Sequence, residues 1–141
     1  MSVFLVPVDG SDYSNRALDY VIGRCRGASG QTVHVINVQA PIVTVNVKLF
    51  VSAESLQTYY RDEGTKVVEP AVARLKAAGI DATPHIIVGE AGKVIADFSG
   101  EIAAEEIVMG SHGRGALAGA LVGSVAQKVV HLAKIPVVLV K

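Results

Sequence analysis

Cysteine is nearly absent: Cys25 is the single one in 141 residues. That excludes a disulfide framework and a cysteine-based metal cluster, and it suits a reducing compartment. Net charge is absent too, with thirteen basic residues against thirteen acidic ones, which removes the electrostatic basis for coating nucleic acid or an anionic membrane. Any anion this chain binds must be held locally. Long apolar runs are also missing. Two long uncharged stretches, 31–47 and 115–127, are broken by polar residues and Pro41 or diluted by glycine, well short of the about 20 apolar residues of a membrane span. The opening "MSVFLVPVDG" lacks the basic start and long apolar segment of a signal peptide and turns polar by Asp9. A soluble cytoplasmic protein, with no membrane insertion, is expected. What the chain has is core-forming material: 50% hydrophobic and 18% charged residues exclude disorder, and the length suits one domain over 1–141.

The run "VFLVPV" (3–8) is almost wholly apolar, rich in β-branched residues and bounded by "DGSD". It predicts a strand buried on both faces, with Asp9 at its C-terminal end. Ser11 or Asp12 can cap a helix in which Ala17, Leu18, Val21, Ile22 and Cys25 recur at helical spacing until "GASG". "TVHVINV" (32–38) is a second strand, and 41–50 is expected to be a loop. From Ser52 to Ala78 the pattern is helical; Gly64 weakens it, Pro70 is expected to kink or divide it near Glu69, and Gly79 ends it. "ATPHIIV" (82–88), "EIVMG" (106–110) and "PVVLV" (136–140) are further strands, with a short helix over "EAGKVIADFS" (90–99). The order βαβαβαβαβ, without repeat or linker, predicts a single α/β domain around a parallel sheet.

Residues 110–124, "GSHGRGALAGALVGS", contain five glycines. Ser124 is followed three residues later by Gln127, the spacing of a capping box, and Val125, Val129 and Leu132 then line one face. The last helix is therefore expected to start at Ser124, leaving the glycine-rich segment as a loop with room for one helical turn around 116–121. Glycine reaches positive φ and lets a ligand approach main-chain N–H groups, and a helix N-terminus adds unpaired donors and the positive end of the dipole. Together these make a phosphate site needing few basic side chains, with Gly110, Gly113, Gly123 and Ser124 as the cradle. The same composition also suits a flexible connection, or close packing of a helix on a sheet.

Location favours the cradle. In an open α/β sheet, ligands bind beyond the C-terminal strand ends where successive connections reverse direction. If strands one to three wind one way and strand four returns beside strand one, the crevice lies between Asp9 and Gly110. Asp9 could otherwise serve only as a helix cap. Familiar phosphate motifs fit poorly: "GEAGKV" (89–94) is too short for a P-loop and has Val94 where a hydroxyl is needed, and "GRGALAG" is not a GxGxxG.

"GSHGRGALAGALVGS" matches the G-x2-G-x9-G-(S/T) signature of the universal stress proteins, with Gly110, Gly113, Gly123 and Ser124 at the defining positions. The resemblance extends along the chain through "VPVDGSDYSNRAL", "VHVINV", "VMGSHGRG" and "IPVVLV". Within that family the chain resembles the branch that keeps the glycine motif and binds ATP. The resemblance implies a doubly wound, Rossmann-like fold of the adenine nucleotide alpha-hydrolase type, with strand order 3-2-1-4-5 and helices on both faces. It also implies Asp9 at the ribose hydroxyls, Pro7 and Val8 beside the base, the backbone of Val35 at adenine, and Met109 flanking the nucleotide. Gly110, Gly113, Gly123, Ser124 and Val125 would form the phosphate cradle, with Arg114 as an accessory. The implied ligand is ATP, with AMP or ADP as relatives and Mg2+ accompanying ATP. The implied partner is a second copy paired through the last strand, Val137, Val138, Leu139 and Val140, an apolar edge that needs covering.

The remaining residues suggest less. No carboxylate or nucleophile is placed by the sequence to support His112 in a triad, so it reads as a loop residue near phosphate. His34 lies on a buried strand, His85 and His131 read as surface positions, Cys25 as a helix core position, and Tyr59 and Tyr60 as packing or solvent-facing residues of the long helix. Asp9 and Ser124 could contact a metal or water, but no catalytic base is recognisable. The expectation is an ATP-binding, dimeric regulator of a stress or energy-state response with a regulatory protein partner and at most weak ATPase activity. The alternatives are a hydrolase or phosphotransferase using the same pocket, and a nucleotide-free dimerisation module.

Overall fold

A strand without polar side chains has to be covered on both sides, and β1 (Val3–Pro7) is covered: Phe4, Leu5 and Val6 are at most 2% exposed. The computed structural model describes residues 2–42, 52–113 and 121–141. Beside β1 these form β2 (Thr32–Gln39), β3 (Ala82–Val88), β4 (Glu106–Gly110) and β5 (Val137–Val140), alternating with the helices α1 (Asp12–Cys25), α2 (Ala53–Ala77), α3 (Ala91–Glu101) and α4 (Ser124–Leu132). The five strands are all parallel in the order β3-β2-β1-β4-β5. This is the doubly wound sheet expected, with β1 central and the direction of winding reversing between β1 and β4. Most of segment 41–50 and part of 116–121 lie outside the described residues.

Side chains alternate across the sheet and build two cores. Phe4, Val6, Val33 and Val35 meet Leu18, Val21 and Cys25 of α1 and Val68 and Leu75 of α2. On the other face Leu5, Ile36, Ile107 and Met109 meet Ile95 of α3 and Ala126 and Val129 of α4. Each fully buried aliphatic side chain contributes about 1.5–3 kcal/mol. Burial pushes the Cys25 thiol up, which keeps it a packing group.

Ser11 is the N-cap of α1: its side chain accepts the Ser14 N–H at 3.2 Å. Gly10, at φ 82°, makes the turn from β1 into that cap.

Three local expectations are corrected. Helix α2 runs unbroken through Pro70, because Tyr60, Gly64, Val68, Ala71 and Leu75 bury one continuous face against the sheet. Gly64 belongs to that packing, since a Cβ there would stand 2.5 Å from Ile86 Cγ2. The N-cap of α4 is Gly123, not Ser124, and no capping box forms: the Gly123 N–H donates to Ser111 O at 2.7 Å and Gln127 Nε2 donates to Val122 O at 2.8 Å. The tertiary bond from Gly123 outcompetes the local Ser-x-x-Gln pattern. Finally, α4 buries Ala126 and Val129, whereas Val125 and Leu132 are partly exposed.

Candidate functional site

At the C-terminal edge, where β1 and β4 diverge, lies a cavity of about 450 Å³. The end of β1 contributes Pro7, Val8 and Asp9; β2 contributes Ile36, Asn37 and Val38. Met109 and Gly110 come from β4, Ala91 and Ile95 from α3, and Val125 and Ala126 from the first turn of α4. A cavity of about 680 Å³ lies at the opposite edge, lined by segment 26–31 and by Gly79, Ile80 and Asp81. It is the larger of the two, but it sits at the N-terminal ends of β2 and β3. Parallel sheets present main-chain donors and loop side chains at the other edge, so the smaller cavity is the candidate site.

That cavity has two parts. Ile36, Val38, Ile95 and Met109 make an apolar slot between sheet and α3. Asp9, Ser14, His112 and Gly113 make a polar rim beside it. Asp9 Oδ1 accepts the Ser11 N–H at 2.9 Å, which fixes the carboxylate at the start of α1. A Cβ on Gly113 would stand 2.6 Å from Asp9 Oδ2, so glycine lets the β4 loop come this close to the β1 loop without displacing the carboxylate. His112 is held by a 2.9 Å contact between Nδ1 and Ser111 Oγ and by the Tyr13 ring, 5.0 Å between centroids. Asn37 is buried, with Nδ2 donating to Val8 O at 2.8 Å and Oδ1 accepting from Gln39 Nε2 at 2.6 Å. It ties β1 to β2 under the slot and has both ends of its amide occupied.

A family model described as the universal stress protein family matches residues 1–141. The chain belongs to the universal stress protein family. Universal stress protein YxiE of Bacillus subtilis is 27% identical over 143 residues, covering 97% of each chain. Among solved structures, the hypothetical protein MJ0577 superposes with a TM-score of 0.87 at 26% identity, over 99% of this chain and 95% of that one. A universal stress protein in complex with cAMP gives a TM-score of 0.71 at 27% identity, over 99% of this chain and 97% of that one.

In this universal stress protein, seven of the residues singled out from the sequence line the cavity: Pro7, Val8, Asp9, Met109, Gly110, Gly113 and Val125. Val35 does not. It is fully buried on the α1 and α2 side of β2, and the neighbours that reach the cavity are Ile36, Asn37 and Val38. Gly123 and Ser124, at the start of α4, are not among the residues that line it, and Arg114 lies outside the described residues.

Of the two uses of glycine weighed from the sequence, the structure has close packing at these positions and not positive φ. Gly110, Gly113 and Gly123 adopt no positive φ; each is glycine because something is close. The Gly123 N–H is already donated to Ser111 O, so the donors that α4 offers are those of its first turn, Ser124, Val125 and Ala126, which have no intrahelical acceptor. Gly89 and Gly92 of "GEAGKV" are packing positions too, against Val94 and Lys128.

Sequence reasoning missed the slot residues Ile36, Val38, Ala40, Ala91 and Ile95, and the polar Ser14 and Asn37. Two signals were available. Positions 36 and 38 share a strand face by period two, and a polar Asn37 inside "VINV" must have a partner when buried.

Proposed function

We propose that this universal stress protein binds an adenine nucleotide in the C-terminal-edge cavity and acts as a nucleotide-sensitive, dimeric regulator in the cytoplasm. The observation that carries the reading is the pairing of an apolar slot with a rim made by Asp9, Gly113 and the first turn of α4. A flat, uncharged base suits the slot; hydroxyls suit a fixed carboxylate; phosphate suits a helix N-terminus. The volume, about 450 Å³, falls in the range of small-ligand sites, about 300–1,000 Å³. The related universal stress protein in complex with cAMP supports the same ligand class.

ATP is the proposed physiological ligand, with AMP and ADP sharing the slot. Among the described residues no group of three or more His, Cys, Asp or Glu side chains could hold a metal ion, so Mg2+ would enter on the triphosphate and not in a protein cage. Its contribution would be to neutralise phosphate charge. Asp9 would orient the sugar, and the α4 donors would hold phosphate without a lysine.

The dimer is proposed through β5, which is an edge strand whose four residues Val137–Val140 are only partly covered. Hydrogen bonds link that edge to the site. Ser111 N–H donates to Val140 O at 2.8 Å, and Ser111 O accepts from Gly123 at 2.7 Å. A ligand gripping the start of α4 would therefore bear on the end of β5, and it shifts the dimer to the extent that it binds the two states unequally.

The test is to identify by mass whatever nucleotide co-purifies, and to measure ATP turnover and molecular size with and without it. Protein that carries no adenine nucleotide and takes up none from AMP or from ATP with Mg2+ would overturn the reading. Several rapid turnovers per minute without a partner would move it to the hydrolase class.

A further inference from the structure

His34 and His85 are 51 residues apart in sequence, yet the β2–β3 register, Ile36 opposite His85, brings their rings together. His34 Nδ1 and His85 Nε2 are 2.9 Å apart, and the rings stack at 22° with centroids 5.1 Å apart. His85 also packs on Phe98 of α3, 4.6 Å between centroids. Both histidines are partly buried on the face that carries Ile36, Val38 and Ile87. Phe98 lies one turn from Ile95, which lines the cavity.

We propose that His34, His85 and Phe98 form an acid-sensitive clasp joining β2, β3 and α3, which opens when both imidazoles of the pair are protonated. A contact of 2.9 Å between two ring nitrogens requires one to donate and the other to accept. With no added proton, one neutral ring donates to the other. With one added proton, the imidazolium donates to its neutral partner and the bond is kept. A second proton, taken from solvent, puts N–H groups on both facing nitrogens and two like charges on stacked rings, so the contact becomes repulsive.

Among the described residues, no carboxylate offsets the pair: the one charge that shifts His85 is that of His34. Along β1, β2 and β3 the only titratable side chains are His34 and His85 themselves. On α3, Lys93 and Asp97 pair with each other at 2.7 Å in solvent and Glu101 is exposed. Burial first, and then the like charge of His34, hold the His85 pKa below the ordinary histidine value. The unfolded chain then binds more protons than the folded one as pH falls. The clasp's contribution is complete above about 6.5 and is lost as pH falls through the lowered folded value.

The inference does not rest on nucleotide binding. Thermal unfolding of the full chain between pH 7.5 and 5 tests it, using His85→Gln, whose amide can bond but does not titrate. The native protein is expected to lose several degrees more of its melting temperature over that interval than His85→Gln; parallel curves would overturn the proposal. Should the variant not fold, ring-proton NMR of the unsubstituted protein decides. His85 is expected to titrate below the ordinary histidine value, and a His85 titration at about 6.5 or above would overturn it.

Discussion

Apart from Gly10, whose positive φ turns the chain out of β1, the glycines at the two edges of the sheet are used in opposite ways. At the N-terminal edge, Gly27 and Gly79 adopt φ of 73° and 81°, and a Cβ on either would meet nothing within 4 Å. There glycine supplies backbone freedom around an open cavity. At the C-terminal edge Gly110, Gly113 and Gly123 adopt no positive φ and are crowded: by Tyr13, by the Asp9 carboxylate, and by the backbone of Ser111 and His112. There glycine supplies proximity. The lesson is that the edge where chain segments are pressed together is the one with a cavity divided into an apolar slot and a polar rim, while the edge built of turns has the larger space.

Substitutions can break this contrast. The largest effect is expected at Gly110→Ala, whose Cβ would stand 2.7 Å from Tyr13 Cβ and 2.9 Å from its carbonyl carbon. Helix α1 would have to move, and overpacking of this kind costs about 3 kcal/mol, measurable by urea unfolding. Gly113→Ala meets the far end of a side chain instead, Asp9 Oδ2. It should change stability by less than about 1 kcal/mol yet weaken AMP affinity about ten-fold, or about 1.4 kcal/mol, because the carboxylate is displaced. At the other edge, Gly79→Ala should cost about 1 kcal/mol in strain and leave AMP affinity unchanged. Smallest of all, Gly79→Asn should cost less than Gly79→Ala, since asparagine tolerates left-handed backbone. An affinity loss at Gly79 equal to that at Gly113 would erase the distinction between the edges.

Much of the fold was legible because buried parallel strands announce themselves. "VFLV" and "IVMG" are apolar without alternation, "VHVINV" is interrupted only by His34 and Asn37, and turn residues separate them from helical patterns. What stayed hidden depended on partners distant in sequence. Whether Val35 or Ile36 reaches the cavity is a question of which face α3 covers, and nothing within β2 decides it. The start of α4 looked like a capping box at Ser124 until the bond from Gly123 to Ser111 outweighed it. Pro70 looked like a breaker, but the buried face of α2 carries the helix past it. His85 read as a surface residue, and its partner His34 is visible only through the strand register. For the candidate site, the sequence marked the rim at Asp9 and Gly113 and, of the slot, only Met109; Ile36, Val38 and Ile95 were missed because apolar slot residues look like core in sequence.

The central claim is that the C-terminal-edge cavity holds an adenine nucleotide. Calorimetric titration of the purified chain with AMP, and with ATP in the presence of Mg2+, tests it most directly. The account predicts a saturable heat that Gly113→Ala weakens and Gly79→Ala leaves intact. No heat from either nucleotide up to millimolar concentration would contradict it.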